Sequence, residues 1–501
     1  MRVSDTRLTY RFGPVERRGI LGPVRIGQAA AVALGAVLAM ASLDASPTAT
    51  GAVFATLAFG FAVTAAVLPL GSRTLDEWIP VALVFAIRMA RGAARYRSPL
   101  PGYGMRALIA QAPSRVRVIQ NEPAPPPSLR DVRILEAAYR NRPIGIFQEH
   151  AGRRLTTVLA CRALAFSLLD PEAQERRLAR WGLVLSGSAN TPIRRLQWIE
   201  RTVPAQGDEL ARWLHDERDP SIPLRGTPMI ESYLELIGAT ARVAQEHELL
   251  LAVQVDAKRI RGRDPSAFSE VLIEQAERVA VELEAAEVTV LGALTPKQLA
   301  RALRTAFDPF ARAELAALEA ADPERGGLPE AAAWPLGARE AWDHYQSDGA
   351  VHATYWIGGW PRVEVSPLFM DALLARSSAV RSVAVTFEPL SPQRSTREVE
   401  AAITRDRADR ELRHRFGQLE TARQRQSHDA ALRREAELAA GHSEVRLSGF
   451  VTVSGRDQDD LRRASAEVLE HAARARLELH RMYGQQADAF AFTLPLCRGL
   501  R

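Results

Sequence analysis

The 501-residue sequence predicts an α+β protein with an N-terminal transmembrane helical hairpin and a long charged helix. Two apolar runs of span length occur within the first 72 residues. After residue 142, short strand-like segments alternate with helical segments, and their order is similar in two halves of the chain. Such a mixture favours an antiparallel sheet with helices packed on it.

The hairpin prediction rests on residues 26–43 and 51–70. Asp44 is the only ionisable residue between Arg25 and Arg73, and each run has roughly the 17–25 residues that cross a bilayer as a helix. The alternative is a buried helical hairpin of a soluble protein. Such helices usually carry a polar stripe, which these runs lack. We therefore interpret residues 26–72 as a transmembrane hairpin.

The net charge of +6 lies on the flanks of the hairpin. Residues 1–25 carry +4, residues 26–72 carry −1 and residues 73–97 carry +3, so residues 98–501 are neutral in sum. Arginines on both outer flanks place both termini and the soluble body in the cytoplasm by the positive-inside rule. Residues 1–25 are then a cytoplasmic basic lead rather than a secretory signal. A neutral body also argues against direct nucleic-acid binding.

The next two segments are predicted to be an interfacial helix, residues 73–97, and a Pro- and Gly-rich connector, residues 98–141 with a short strand at 115–120. A core helix of the first soluble domain is the alternative for residues 73–97. One face of this helix is apolar and the other is basic. The apolar residues are Trp78, Ile79, Leu83, Ala86, Ile87 and Ala90, and the basic ones are Arg88, Arg91 and Arg95.

The remaining chain is predicted to hold a first α+β domain at 142–311, a linker at 312–348 and a second α+β domain at 349–501. Both halves follow the order of split βαβ, ferredoxin-like units. A charged helical arm at 395–441 has balanced charge, which favours a solvated or partner-binding helix. Predicted strands are 144–150, 153–163, 193–203, 249–255, 288–291, 352–358, 380–388, 444–454 and 477–480; predicted helices are 171–185, 207–219, 228–246, 266–285, 296–307, 367–376 and 457–475.

The motif search predicts no catalytic, cofactor-binding or metal-binding residue, and hence no enzyme. Lys258 and Lys297 are the only lysines and neither lies in a GxxxxGK[ST] phosphate loop. Cys161 and Cys497 are far apart in sequence, which argues against a disulfide framework or a zinc ribbon. The serine–glycine turns at 185–190 and 453–457 do not match a GxSxG nucleophile elbow.

Three weaker patterns have structural explanations that we favour over functional ones. His344, Asp348 and His352 could bind a metal, but loop and strand-edge roles are favoured. The segment WIGGWPR, residues 356–362, could be a binding edge, but a strand end with a turn is favoured. Asp459 and Asp460 suit the first turn of a helix, where acids complement the helix dipole.

Two stretches of the chain resemble known families. TYRFGPVERRGILGPVRIGQ (residues 9–28), the two spans and RTLDEWIPVAL (residues 73–83) resemble a group of actinobacterial two-span membrane proteins that accompany a separate ATP-binding protein in conjugation-like gene clusters. Their architecture is similar to the small two-span component of type IV secretion systems. QADAFAFTLPLCRGL (residues 486–500) is similar to the segment that ends the non-motor half of the type IV secretion and conjugation ATPase.

This resemblance implies a non-enzymatic, membrane-anchored scaffold subunit of a type IV secretion-like or conjugative apparatus. It implies a separate P-loop ATPase as a partner in trans, since the chain stops where the family's motor domain would begin, and a homo-oligomer within a larger assembly. No cofactor is implied. One alternative is a DNA-handling subunit, which salt-dependent DNA binding by residues 98–501 would reveal. The other is a membrane-bound enzyme with an unrecognised site.

Overall fold

The computed structural model describes residues 26–70, 73–98, 125–140, 142–162, 166–204, 228–241, 245–260, 267–321, 330–361, 363–375, 377–401, 404, 436 and 444–500. The chain forms two compact units, one of residues 13–94 with 396–441 and one of residues 1–12, 95–395 and 442–501. The predictions for residues 1–25, 115–120 and 207–219, and nearly all of the arm at 395–441, lie outside the described residues.

The first unit contains the hairpin, with α1 at Ile26–Ala45, α2 at Ala49–Val67 and α3 at Leu75–Ala90. Helices α1 and α2 pack along each other. Thr48 caps α2 by accepting a hydrogen bond from the Gly51 amide. The second predicted span continues to residue 70, but α2 ends at Val67. Pro69 lacks an amide hydrogen and suits a strand edge, and Pro69–Leu70 (β1) pairs with Arg73–Thr74 (β2).

The second unit is built on one antiparallel sheet of thirteen described strands. They are β3 Arg95–Arg97, β4 Arg133–Tyr139, β5 Arg142–Glu149, β6 Arg154–Arg162, β7 Ile193–Pro204, β8 Gln245–Asp256, β9 Thr289–Ala293, β10 Gly337–Glu340, β11 Tyr345–Ser347, β12 Ala350–Gly359, β13 Arg381–Pro389, β14 Val445–Gly455 and β15 Glu478–Arg481. The order is β3-β10-β11-β12-β14-β13-β7-β8-β6-β5-β4, with β15 also on β12 and β9 also on β6.

The helices of this unit begin at residues that suit helix starts. Asp170 and Asp457 cap the helices that begin at residues 171 and 458, and Thr295 forms a capping box with Gln298 at the helix that begins at residue 296. The helices are α4 Pro171–Gly187, α5 Pro228–Ala241, α6 Phe268–Ala285, α7 Pro296–Phe307, α8 Arg312–Ala321, α9 Asp371–Leu374, α10 Gln458–Arg474 and α11 Gln486–Ala491; residues 392–395 are also helical.

Two similar sets of elements lie side by side in the sheet. The first is β6-α4-β7 followed by β8-α6-β9, and its strands lie in the order β9-β6-β8-β7. The second is β12-α9-β13 followed by β14-α10-β15, with the order β15-β12-β14-β13. Both sets have the connectivity of a split βαβ unit. That each of these two sets of strands and helices has a ferredoxin-like fold stays a prediction.

The two halves are joined within the sheet, because β7 pairs with β13 from Arg381↔Thr202 to Phe387↔Leu196. The segment at 312–348, predicted as a linker, contributes α8 and strands β10 and β11. The segment at 98–141, predicted as a connector, contributes β4. The strands β10 and β11 have only four and three residues, too few for the alternation of apolar and polar residues that predicts a strand.

Apolar side chains are buried on both faces of the sheet. On one face, Leu159, Leu196 and Leu251 pack with Val279 and Leu283 of α6. On the other face, a second cluster contains Phe147, Ile199 and Leu250 from the strands, Leu299, Leu303 and Phe307 from α7, and Phe490, Leu494 and Leu496 from the C-terminal segment. Because both faces are covered, the middle of β8, residues 249–253, is an unbroken apolar run.

Candidate functional site

Helices α1 and α2 both expose large apolar side chains. Leu34, Val37, Leu38, Met40, Val53, Phe54, Leu57, Phe59 and Phe61 are 42–71% exposed. A soluble protein rarely leaves such a contiguous apolar surface in water. Both helices are long and apolar enough to cross a membrane, by length and composition. The hairpin therefore provides two candidate membrane spans.

The polar groups of the hairpin are satisfied inside it. The Gln28 side-chain amide donates to the Ala66 carbonyl at 2.8 Å. The Thr56 and Thr64 hydroxyls donate to carbonyls one turn earlier at 2.8 and 2.7 Å. A Cβ atom on Gly35 would overlap the Cβ of Ala62, so a small residue is needed for this helix contact. Internal hydrogen bonds and small contact residues are what lipid surroundings require.

Helix α3 keeps part of the predicted apolar face, but it ends at Ala90, and Arg95 of the predicted basic face lies on β3. Val81 is buried, whereas Ile79, Leu83 and Ile87 are 40–59% exposed along one face. Arg91, just after the helix, is also exposed. A position at the membrane interface stays a prediction for this helix.

A group of charged residues of the second unit lies at one end of the sheet. The register places Glu149 beside Arg154, and Arg154 beside Asp256. Arg194, at the start of β7, bonds to Asp256. Arg195 bonds to Glu388 through Nε and Nη2, each at 3.1 Å. We call this region the basic sheet end; it comprises Arg130, Asp131, Arg133, Glu149, Arg153, Arg154, Arg194, Arg195, Asp256, Lys258, Arg259, Glu388, Arg394, Glu444, Arg446 and Arg498.

The C-terminal segment, residues 492–500, lies across the sheet beside this region and is held there by hydrogen bonds. Gln197 donates to the Phe492 carbonyl at 2.8 Å and accepts from the Cys497 amide at 2.7 Å. Gln254 donates to the Leu496 carbonyl at 3.1 Å. On the second half of the sheet, the hydroxyls of Thr452 and Thr493 are 2.8 Å apart. The segment thus bonds to strands from both halves.

Arg498 forms the strongest ion-pair arrangement of this segment. Its guanidinium lies 2.6 Å from Glu149 Oε1 and 2.6 Å from Asp131 Oδ1, and Nη1 donates to the Ser128 carbonyl at 2.8 Å. Burial acts to lower the Arg498 pKa, but Glu149 and Asp131 outweigh it, so this pKa is raised. Burial acts to raise the Asp131 pKa, but Arg498 outweighs it and this pKa is lowered.

Asp131, Glu149 and His150 present possible metal-ligand atoms within 4.8 Å of one another. The Arg498 guanidinium already bonds to both carboxylates, so it supplies the positive charge that a metal ion would bring. We therefore assign the group to a structural ion-pair network. Arg498 lies more than 340 positions from the other three residues in sequence, so no local motif could have indicated this network.

The structure does not bring together the three residues considered as metal ligands. His344 Nδ1 lies 2.7 Å from Asp343, and Asp348 bonds to Arg304. His352 is fully buried, with Nε2 3.0 Å from the Phe307 carbonyl and Nδ1 2.8 Å from the Ser454 hydroxyl. These are structural roles, as favoured from sequence.

The buried His352 predicts a pH-dependent stability. Burial lowers its pKa from 6.5 to about 4, and the hydrogen bond with the Phe307 carbonyl offsets only part of this. The unfolded state therefore binds the proton more readily, so His352 destabilises the fold as the pH falls from 6.5 towards 4, by roughly 3 kcal/mol at most. We expect the melting temperature of the full chain in neutral detergent to fall less over this range in His352→Gln than in wild type.

His344→Gln is the matched control for this prediction, because it also replaces a histidine of the same segment but leaves His352 in place. We expect it to keep the wild-type pH dependence. Equal slopes in wild type and His352→Gln would contradict a neutral, buried His352.

The other sequence patterns also have structural roles. Trp356 lies on β12 with its ring centroid 6.0 Å from that of His480 on β15. The Asp457 side chain caps α10, whose first turn contains Asp459 and Asp460. Both cysteines are free and buried, and burial raises the pKa of the Cys161 thiol to about 12. Such thiols are poor nucleophiles.

Residues 243–357 match the family model described as "Putative type VII ESX secretion system translocon, EccE". The matched segment runs from the start of β8 into β12 and covers less than a quarter of the chain. No curated protein matches the chain. The match supports a membrane component of a secretion system. It corrects the type IV and conjugation assignment, because the family that matches belongs to a type VII system.

Proposed function

We propose that this protein is a non-enzymatic subunit of a type VII, ESX-like secretion apparatus, held in the cytoplasmic membrane by α1 and α2. The match of residues 243–357 to the EccE family carries this proposal. The exposed apolar surface of the hairpin supports the membrane location. A non-enzymatic role agrees with the structural use of Arg498, whose pKa is raised by its ion pairs, and of His352, whose pKa is lowered by burial.

The proposal includes an orientation and a partner. Arginines flank both outer ends of the hairpin, which favours cytoplasmic termini, a cytoplasmic body and the short loop after α1 on the outer side. In the cytoplasm the α+β body docks a separate P-loop ATPase, as part of a homo-oligomer within the apparatus. Anchoring the body confines the bound ATPase to the membrane and raises its local concentration there.

The test removes the gene from a host that carries a type VII system and restores it as the tagged full chain. We expect export of the system's substrates to stop and then to return. We also expect the tagged chain, purified in neutral detergent, to bring with it a protein that mass spectrometry identifies by its GxxxxGK[ST] loop; an untagged strain is the control. Unchanged export after removal, with no such ATPase in the purified fraction, would disprove the proposed function.

A further inference from the structure

The basic sheet end carries a local excess of positive charge that is not visible in the net charge of residues 98–501. Residues 98–501 are neutral overall. At this end, however, eleven described basic residues accompany only five acidic ones, Asp131, Glu149, Asp256, Glu388 and Glu444. The strand register brings them together from β4, β5, β6, β8, β7, β13 and β14, which are neighbours in the sheet.

Three of the five carboxylates lie deeper than four of the arginines, whereas Asp131 is 39% exposed. The carboxylates of Glu149, Asp256 and Glu388 are buried, with at most 6% of each residue exposed. The guanidiniums reach further out: the side chains of Arg154, Arg194, Arg259 and Arg394 are 21%, 23%, 26% and 48% exposed. Arg153 and Lys258 are exposed beside them. The buried acids therefore orient the arginines, and the surface that a partner meets is basic.

The arginines also repel one another. Burial lowers the Arg154 pKa, and the nearby charges of Arg194 and Arg195 lower it further. For Arg259, burial again comes first, and Arg194 and Arg394 add to it despite the attraction of Glu388. An anion bound at this surface would relieve the repulsion among guanidiniums that are already fixed in place.

We propose that the basic sheet end binds an acidic, carboxylate-rich segment of another subunit of the apparatus; this inference rests on the proposed function. Seven neighbouring strands at their usual spacing give a row about 29 Å long, the length of an acidic helix of about 20 residues. The buried carboxylates hold these guanidiniums in fixed orientations, and fixed guanidiniums are well suited to form bidentate hydrogen bonds with the carboxylates of a partner. Among the described residues at these strand ends no Trp, Tyr or Phe is exposed, whereas single-stranded nucleic acid is usually bound by stacking on such rings.

The test uses the purified full chain in neutral detergent and a fluorescein-labelled 20-residue peptide of alternating Glu and Ala. We expect the peptide to bind by fluorescence anisotropy and to bind more weakly at higher salt. Arg153→Glu combined with Lys258→Glu should weaken binding by about tenfold or more. Both side chains are exposed, so the fold should be kept. Arg339→Glu combined with Arg462→Glu makes the same charge change on exposed residues away from this end and should leave binding unchanged.

Three results would overturn the inference. They are no binding of the peptide to the full chain, equal weakening by both pairs of substitutions, and binding of a labelled single-stranded oligonucleotide at this end in place of the peptide.

The export assay separates this inference from the proposed function. A variant with Arg153→Glu and Lys258→Glu that cannot bind the peptide but exports normally contradicts only the inference. A full chain that binds the peptide but is dispensable for export and brings no ATPase with it contradicts the proposed function, whereas the binding of an acidic segment at this end still holds.

Discussion

Deletion of residues 27–70 is expected to move the protein from the membrane to the soluble fraction. The nine large apolar side chains exposed on α1 and α2 favour transfer out of water by on the order of 10 kcal/mol in total. Such a preference makes membrane association essentially complete in the full chain. We expect the full chain to resist an alkaline carbonate wash, and the deleted chain to stay in the supernatant after ultracentrifugation.

The deletion needs a control for damage to the fold. Replacing the same residues with an unrelated two-span hairpin should restore membrane association. A folded soluble body should also keep its protection from limited proteolysis in the deleted chain. Persistent membrane association of the deleted chain would show that the hairpin is not the main anchor, and the exposed apolar face of α3 would be the next element to test.

The sequence was sufficient wherever structure follows from local patterns. The prediction of α7 at 296–307 agrees with the structure, because a Thr cap and a Pro at the first position mark its start. The two candidate spans were evident from composition alone, and the structure forms both as helices. The order of strands and helices in each half was also evident, although β7, which was predicted to be half-buried, is buried along nearly its whole length because both faces of the sheet are covered.

The sequence was insufficient wherever structure depends on distant pairing. No local pattern shows that β7 pairs with β13, so the continuity of the sheet between the two predicted halves could not be predicted. The net charge of residues 98–501 concealed the basic sheet end, because a sum carries no information on position. Arg498 and Glu149 were unremarkable in sequence, and only the fold brings them within 2.6 Å.

The Arg498 ion pair should be among the most sensitive positions in the soluble body. Arg498→Met leaves the Glu149 carboxylate, which is 1% exposed, with the Gln254 side chain as its described neighbour at 3.2 Å. Breaking a buried pair by removing one partner costs about 3–5 kcal/mol. We expect a clear fall in the melting temperature of the full chain in neutral detergent, and faster amide exchange in residues 492–500.

A second substitution identifies the cause of this loss. Glu149→Gln removes the buried charge, so adding it to Arg498→Met should recover part of the stability, because the double variant no longer buries an unpaired carboxylate. Arg462→Met is the matched control. Its partner Asp459 is exposed, and such surface pairs contribute only about 0–1 kcal/mol. If Arg498→Met were no more destabilising than Arg462→Met, the C-terminal segment would not depend on this pair.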